Sequence, residues 1–248
     1  NILPFQTMNK NLSLSLTGAA LLAPVAQTMA QTKQVQQKKP MNIVYIMSDD
    51  HSYQTISAYD KRFIETPNID WIANNGVRFT NSYVANSLSG PSRAGKHSHA
   101  NGFTDNTKTF DGNQQTYPKL LQKAGYQTAM IGKWHLTSEP TGFNYWDILI
   151  GQGDYYNPDF KCNGKNLRRP GYVTNIITDV ALDWLENKRD KEKPFCLLLH
   201  HKAPHRVWNP DTCDLDLYAD RTYPLPATFY DNYEGRQAAA KQKMSIIK

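Results

Sequence analysis

The sequence predicts an α/β protein with a mostly parallel sheet flanked by helices. Short β-branched and aromatic runs alternate with amphipathic segments along most of the chain, which is the pattern of strands joined by crossover helices. The strongest apolar runs are continuous, as in strands that are covered on both faces. With 248 residues, of which 40% are hydrophobic, the chain can bury a sizeable core.

The predicted elements follow one another in strand and helix order. The run NIVYIM at 42–47 predicts a buried strand, because its apolar residues do not alternate with polar ones. The segment TPNIDWIANNG at 66–76 predicts a helix that begins at a proline and ends at a glycine. The same patterns predict a strand at 77–85, a helix at 116–126, a strand at 127–135, a helix at 173–188 and a strand at 194–201.

Residues 1–30 have the layout of a secretory signal peptide. A lysine follows Met8, an apolar stretch covers 16–25, and small residues surround Ala30. We therefore expect an exported protein, periplasmic or secreted, with residues 31–40 as a linker and no membrane span. A buried helix is the alternative, and Pro24 argues against it.

The charge pattern and the cysteines exclude several classes of partner. The net charge of +6 comes partly from lysine runs at 31–40 and 188–194, which solvated surface explains. The sequence lacks zinc-finger spacing, a basic-region helix and an RNA-binding aromatic signature. We therefore expect an anionic partner to be a small or polymeric anion and not a nucleic acid. The three cysteines contain no C-x-x-C pair and predict no zinc site, and they allow one disulfide at most.

Polar residues follow the predicted strands at their carboxyl ends, where parallel α/β sheets bind ligands. These residues are Asp49, Asp50, Lys133, His135, His200 and His201. The adjacent carboxylates of Asp49 and Asp50 indicate a hard cation such as calcium or magnesium, with a helix cap as the alternative. Lys133 and His135 would point to the same side of a strand, although a single histidine at such a position is often structural.

Ser89 opens the segment SGPSR, with Arg93 four residues behind it. The sequence has no G-x-S-x-G elbow that would make Ser89 an activated nucleophile. From its position alone, we interpret Ser89 as a hydroxyl that caps a helix beginning near Ser92.

Taken together, these motifs resemble the sulfatase family. SGPSR at 89–93 resembles the family signature, NIVYIMSDD at 42–50 resembles its first strand with metal-binding aspartates, and GKWH at 132–135 and KAPH at 202–205 follow in the family's order. The resemblance extends over residues 41–248 and implies an alkaline phosphatase-like fold. It also implies hydrolysis of carbohydrate sulfate esters, with the 6-O-sulfate of N-acetylglucosamine in glycosaminoglycan or mucin glycans as the expected substrate.

The resemblance assigns a nucleophile and a metal. A formylglycine-generating maturase would oxidise Ser89 to formylglycine, whose hydrated aldehyde attacks the sulfur atom. Asp49 and Asp50 would bind Ca²⁺ together with an oxygen of the modified Ser89. Arg93 would keep the diol and the metal site in the correct position relative to each other.

The resemblance also assigns the other catalytic roles. Lys133 would contact the sulfate, His135 would take a proton from the diol, and His205 would assist the leaving oxygen. We also expect the loop GQGDYYNPDF at 151–160, which is rich in aromatic and acidic residues, to contact the sugar.

The chain departs from the family pattern after Ala94, where about one helical turn of residues is missing. The resemblance also places a subdomain that completes the metal and sulfate sites after the family's first half. We therefore expect residues 41–248 to be the incomplete amino-terminal part of a catalytic domain, with little activity alone. Two alternatives stay open: a phosphoryl hydrolase that uses unmodified Ser89, and an inactive glycan-binding fragment.

Overall fold

The computed structural model describes residues 39–241, and the chain from Pro40 onward forms one compact unit. The predicted signal peptide and almost all of the linker lie outside the described residues. The strands are β1 (Ile43–Met47), β2 (Gln127–Lys133), β3 (Tyr145–Leu149), β4 (Asp159–Cys162), β5 (Lys165–Arg168) and β6 (Phe195–His200). The α-helices are α1 (Pro67–Asn75), α2 (Ser89–Arg93), α3 (Ser98–Asn101), α4 (Tyr117–Lys123), α5 (Val173–Asp183) and α6 (Gln237–Lys241).

All six strands form one sheet in the order β1-β6-β2-β3-β4-β5. The first four strands in this order are parallel, while β4 runs antiparallel to β3 and β5 antiparallel to β4. The prediction of a mostly parallel α/β sheet is confirmed. Because β1, β6 and β2 are neighbours, the residues that follow them meet at one edge of the sheet. Within residues 39–241, no helix is long and apolar enough to cross a lipid bilayer.

Two clusters of buried side chains cover the two faces of the sheet at β6, β2 and β3. The edge strand β1 is exposed, with Ile46 at 57%, so the prediction that this strand is buried is wrong: β6 is its only neighbour in the described sheet and no described cluster covers it. On one face, Ile177 and Trp184 pack against Leu197 and Leu199 of β6. On the other face, Leu198 packs in a cluster with Trp134, Phe103 and other apolar side chains. Alternate residues of β6 thus contribute to both clusters, which explains why its sequence is a continuous apolar run.

The predicted strand at 77–85 is wrong. These residues form no strand and their apolar side chains are exposed, with Tyr83 at 89%. Strand propensity reflects how well a side chain fits a half-buried pleated surface, and in the described structure no neighbouring strand pairs with this segment. The helix predicted at 173–188 is α-helical only to Asp183, and Trp184–Lys188 form a π-helical turn.

Three strands, β3, β4 and β5, were not predicted. The sequence contains a signal for the β4–β5 hairpin, because Asn163 and Gly164 form its turn with φ angles of 43° and 89°, as expected of an Asn-Gly turn between two strands. β3 was missed because it contains Asp147, a buried carboxylate in an otherwise apolar run.

Candidate active site

The candidate site is built from segments that follow β1 and β2 and from helix α2. Asp49 lies just beyond β1, and its backbone N–H donates to the carbonyl oxygen of Ala203, which follows β6, at 3.0 Å. Lys133 is the last residue of β2. Helix α2 begins at Ser89 and ends at Arg93, and a spacing of four places both on one helix face. Three distant segments therefore meet at the carboxyl edge of the sheet.

Close contact between β2 and β6 at this edge requires a glycine. Gly132 has a φ angle of 99°, and a Cβ atom there would collide with the carbonyl oxygen of His200. Any other residue at this position would be strained by its φ angle and would push the strands apart. Gly132 thereby fixes the neighbouring Lys133 at the end of β2.

The buried carboxylate of Asp49 is the centre of the site. Its Oδ1 atom lies 3.1 Å from Arg93 Nη2, its Oδ2 atom accepts from Lys133 Nζ, and Ser89 Oγ donates to Oδ1 at 3.4 Å. Burial raises the pKa of Asp49, but the Lys133 hydrogen bond and the charges of Arg93 and Lys133 outweigh burial and lower it. Asp49 is therefore an ionised carboxylate that faces two cations.

A second lysine joins Lys133 through a residue that was not assigned from the sequence. Lys133 Nζ donates to Gln152 Oε1 at 2.5 Å, and Lys202 Nζ donates to the Gln152 carbonyl oxygen at 3.2 Å. Both lysines are buried, and burial lowers the pKa of each. Lys202 also lies over the ring of Tyr155, with Nζ 4.9 Å from the ring centre. Gln152 and Tyr155 lie in the loop predicted to contact the sugar, but their partners could not be read from the sequence.

Ser89 Oγ lies between three polar groups. It is 3.3 Å from His135 Nδ1 and 3.5 Å from Arg93 Nε, in addition to its contact with Asp49. Burial lowers the pKa of His135 to about 4, and the charges of Lys133 and Arg93 act in the same direction. The imidazole is therefore neutral at neutral pH and can accept a proton beside Ser89.

Interpreting Ser89 as a cap of a helix beginning near Ser92 is wrong. The helix begins at Ser89 itself, the capping position is occupied by Leu88, and no side-chain cap hydrogen bond forms there among the described residues. The Ser89 side chain instead points toward Asp49, because the first turn of α2 faces the end of β1.

Asp50 and His205 form a separate pair beside this cluster. The Asp50 side chain is 63% exposed, and its Oδ2 atom lies 3.6 Å from His205 Nε2. His205 Nδ1 donates to the Arg206 carbonyl oxygen at 2.6 Å, so its Nε2 atom faces the site. Tyr155 fixes this loop by donating to the His205 carbonyl oxygen at 2.5 Å.

The two histidines at the end of β6 do not join the cluster. His200 is buried on the sheet face that carries Leu198, where its Nδ1 atom donates to the Lys133 carbonyl oxygen at 3.2 Å. The His201 backbone N–H donates to the Met47 carbonyl oxygen at 2.8 Å, and burial lowers the pKa of its ring. Both residues lie at the carboxyl end of β6, where ligand-binding residues were expected. Neither side chain, however, has a described contact with Ser89 or Asp49.

The oxygen atoms of Asp49, Asp50 and Ser89 are of the kind that a hard cation prefers. Asp49 Oδ1 and Ser89 Oγ are 3.4 Å apart, while Asp50 is directed toward His205. Within residues 39–241, no group of three His, Cys, Asp or Glu side chains is arranged as a metal site. Calcium takes six to eight oxygen ligands, so these residues fit it chemically and would supply part of its coordination. The three cysteines are free.

Comparison with known proteins assigns the family. A family model described as Sulfatase matches residues 41–244. The chain belongs to the sulfatase family. Its mostly parallel sheet and the position of SGPSR at the start of a helix beside the strand ends agree with the resemblance stated above.

Individual sulfatases are similar over much of the chain. An N-acetylglucosamine-6-O-sulfatase of Bacteroides thetaiotaomicron is 55% identical over 233 residues, which cover 91% of this chain and 42% of that protein. The human N-acetylglucosamine-6-sulfatase is 32% identical over 163 residues, covering 54% of this chain and 29% of that protein. The chain thus spans less than half the length of these curated relatives.

A solved sulfatase structure has the same fold. The structure of BT4656 in complex with its substrate D-glucosamine-2-N,6-O-disulfate superposes with a TM-score of 0.80 at 57% sequence identity. The match covers 83% of this chain and 43% of that chain.

Proposed function

We propose that the protein containing this chain hydrolyses the 6-O-sulfate ester of N-acetylglucosamine or glucosamine in glycosaminoglycan or mucin glycans. The observation that carries the proposal is the position of Ser89 Oγ between Asp49, Arg93 and His135. The substrate named for BT4656 and the activity named for the Bacteroides relative support the choice of sugar.

The charges around Ser89 favour an anionic substrate. Arg93, Lys133 and Lys202 are three cationic groups in and beside the cluster, and among residues 39–241 Asp49 is the single buried carboxylate that faces them. A sulfate ester adds the missing negative charge, and fixed cations stabilise further charge on its oxygens as the ester bond breaks. The lysines that meet on Gln152 would bind the sulfate group.

We propose that Ser89 acts after oxidation by a formylglycine-generating maturase. The hydrate of the resulting aldehyde supplies a nucleophile that an unmodified serine lacks. Arg93 Nε, at 3.5 Å from Ser89 Oγ, would orient this side chain. His135, neutral because burial lowers its pKa to about 4, would accept the proton at Nδ1. His205, when protonated on Nε2 as well as on Nδ1, would donate from Nε2 to the leaving sugar oxygen.

We also propose that calcium binds Asp49, Asp50 and the modified Ser89. The ion would stabilise the negative charge that builds on the sulfate oxygens. The Asp50 side chain would turn from His205 toward the ion, and its exposure leaves it free to do so. On the signal-peptide layout of residues 1–30 we place the protein in the periplasm or outside the cell.

Mass spectrometry of the protein produced together with a serine-type maturase tests the nucleophile. The peptide that contains Ser89 should lose two hydrogens and react with a hydrazide, while Ser87 in the same peptide stays unchanged. Ser89→Ala should abolish sulfate release from glucosamine 6-O-sulfate, whereas Ser87→Ala, an exposed residue of the same loop, should retain it. An active protein with an intact serine would contradict the proposed mechanism, and release of phosphate but not sulfate would favour the phosphoryl hydrolase.

A further inference from the structure

Two tyrosine hydroxyl groups bind the backbone of the segment that contains His205. Tyr155 Oη donates to the His205 carbonyl oxygen at 2.5 Å, and Tyr172 Oη donates to the Asn209 carbonyl oxygen at 2.9 Å. Of these two contacts, that of Tyr155 reaches a residue of the candidate active site, because His205 lies beside Asp50.

Tyr155 is well placed to fix the position of its partner. It is 4% exposed and belongs to the buried cluster that contains α5. Its ring stacks on that of Tyr172, with 5.9 Å between the ring centres, and its carbonyl oxygen accepts from the Val173 N–H at 2.8 Å. Burial raises the pKa of Tyr155 to about 12, so its hydroxyl keeps the proton and remains a donor at neutral pH.

The other backbone contacts of His205 stay within its own segment. Its N–H donates to the Lys202 carbonyl oxygen at 3.1 Å, and its carbonyl oxygen also accepts from the Trp208 N–H at 3.4 Å. Among residues 39–241, the Tyr155 hydroxyl is therefore the one hydrogen-bond donor that ties the His205 backbone to another part of the fold.

The ring of Tyr155 contacts a second residue of the site. Lys202 Nζ lies 4.9 Å from the ring centre, within the range at which an aromatic face attracts a cation. The ring thus contacts a lysine proposed to bind sulfate, and the hydroxyl contacts the residue proposed to protonate the leaving oxygen. Because the two contacts use different parts of one side chain, a substitution can remove one and keep the other.

We propose that Tyr155 is a positioning residue for sulfate ester hydrolysis, whose hydroxyl orients His205 toward the leaving sugar oxygen. This inference rests on the proposed function. In that reaction the bond between sulfur and the sugar oxygen breaks, its electron pair stays on the oxygen, and the Nε2 proton of His205 moves to it. Proton transfer requires hydrogen-bond distance, so a displaced imidazole would leave more negative charge on the sugar oxygen in the transition state.

Removal of the hydroxyl alone tests the proposal in the complete protein, produced together with a serine-type maturase. The probe is glucosamine 6-O-sulfate with ¹⁸O as the bridging oxygen, and the measurements are kcat, KM and the isotope effect on kcat/KM. Tyr155→Phe should lower kcat about tenfold, which is part of the roughly 10²- to 10⁴-fold that general acid catalysis contributes. KM should change by less than about twofold, because the ring beside Lys202 remains. The isotope effect should rise, because less proton transfer then compensates for breaking the bond to the sugar oxygen.

Two further variants serve as references. His205→Gln removes the acid and shows the isotope effect of the unassisted reaction, which Tyr155→Phe should approach. Tyr172→Phe removes a hydroxyl that binds the same segment at Asn209 but leaves the contact to His205 intact. Its isotope effect should equal that of the wild type.

Three results with an active wild type would overturn the proposal. These are an unchanged kcat in Tyr155→Phe, a lower kcat with the wild-type isotope effect, which indicates a structural role alone, and an equal rise of the isotope effect in Tyr172→Phe. If the wild type releases no sulfate, the proposed function is wrong and this proposal fails with it. Activity of the wild type therefore distinguishes the two failures.

Discussion

Asp49 shows how one residue sets the charge of the site. Its carboxylate is buried between Arg93 and Lys133, so removing it would leave two buried cations without a counter-charge. Such unpaired charges cost several kcal/mol. The same excess of positive charge favours a bound anion, which links the stability of this cluster to recognition of a sulfate ester.

His200 should make the stability of the protein depend on pH. Its pKa in the folded protein is about 3, because burial and the charges of Arg93 and His201 disfavour protonation while Asp49 opposes them. The unfolded chain binds this proton below about pH 6.5 and the folded protein does not. The free energy of unfolding should therefore fall by about 1.4 kcal/mol per pH unit as the pH drops from 6.5 toward 3. Guanidinium unfolding should show a flatter pH dependence in His200→Gln, and equal slopes in both proteins would contradict this.

At the scale of elements, β3 is held to the hairpin by a buried ion pair. Asp147 of β3 is fully buried and accepts two hydrogen bonds from Arg169, which follows β5, at 2.9 and 2.5 Å. The Arg169 guanidinium also stacks on Phe160 of β4, 4.6 Å from the ring centre. The antiparallel edge of the sheet is thus tied to its parallel part by a charge pair as well as by backbone hydrogen bonds.

Breaking this pair should destabilise the protein strongly. Arg169→Met leaves a buried carboxylate unpaired and should lower the free energy of unfolding by about 3 kcal/mol. In Asp147→Asn/Arg169→Met the loss should be smaller than the sum of the single losses by at least about 1 kcal/mol. Lys161→Met, which removes a more exposed pair with Glu139, should cost less than about 1 kcal/mol. Urea unfolding of Arg169→Met, Asp147→Asn, the double variant and Lys161→Met measures these losses, and additive losses would argue against the pair.

At the scale of the whole molecule, the strand order creates the site. β6 comes late in the sequence but lies between β1 and β2 in the sheet. Residues near positions 49, 133 and 203 therefore meet at one edge, and α2 adds Ser89 from the side. A metal ion at this edge would connect β1 to α2 and so stabilise the whole fold.

Calcium should raise the stability of the complete protein through Asp50. A ligand at one hundred times its dissociation constant adds about 2.7 kcal/mol to the free energy of unfolding, which a thermal shift measures. Asp50→Asn should reduce this gain, because it removes one carboxylate without disturbing the buried pairs of Asp49. Asp216→Asn, at an exposed residue outside the cluster, should retain the gain. If wild type and Asp50→Asn respond equally, or if a chelator leaves sulfate release unchanged, the calcium assignment is wrong.

Local patterns in the sequence were sufficient for the fold class and for the positions of β1, β2, β6, α1, α4 and most of α5, although β1 is exposed where a buried strand was predicted. The positions of residues at strand ends, together with the motif resemblance, also identified five candidate site residues that the structure brings into one cluster. These are Asp49, Ser89, Arg93, Lys133 and His135. These features could be predicted because hydrophobic period and strand-end position are properties of neighbouring residues. The false strand at 77–85 has the same origin, since its pattern is local but its pairing would not be.

Only the tertiary structure decided which side chains meet. The contacts of Gln152 with Lys133 and Lys202, the ion pair of Asp147 with Arg169, and the pairing of Asp50 with His205 join residues far apart in sequence or set by loop geometry. The sequence contained each of these residues but not the strand order that places them together. His200 shows the difference most clearly. Its position at a strand end is a sequence property, but its side chain is buried on the sheet face that carries Leu198, because strand alternation places it there.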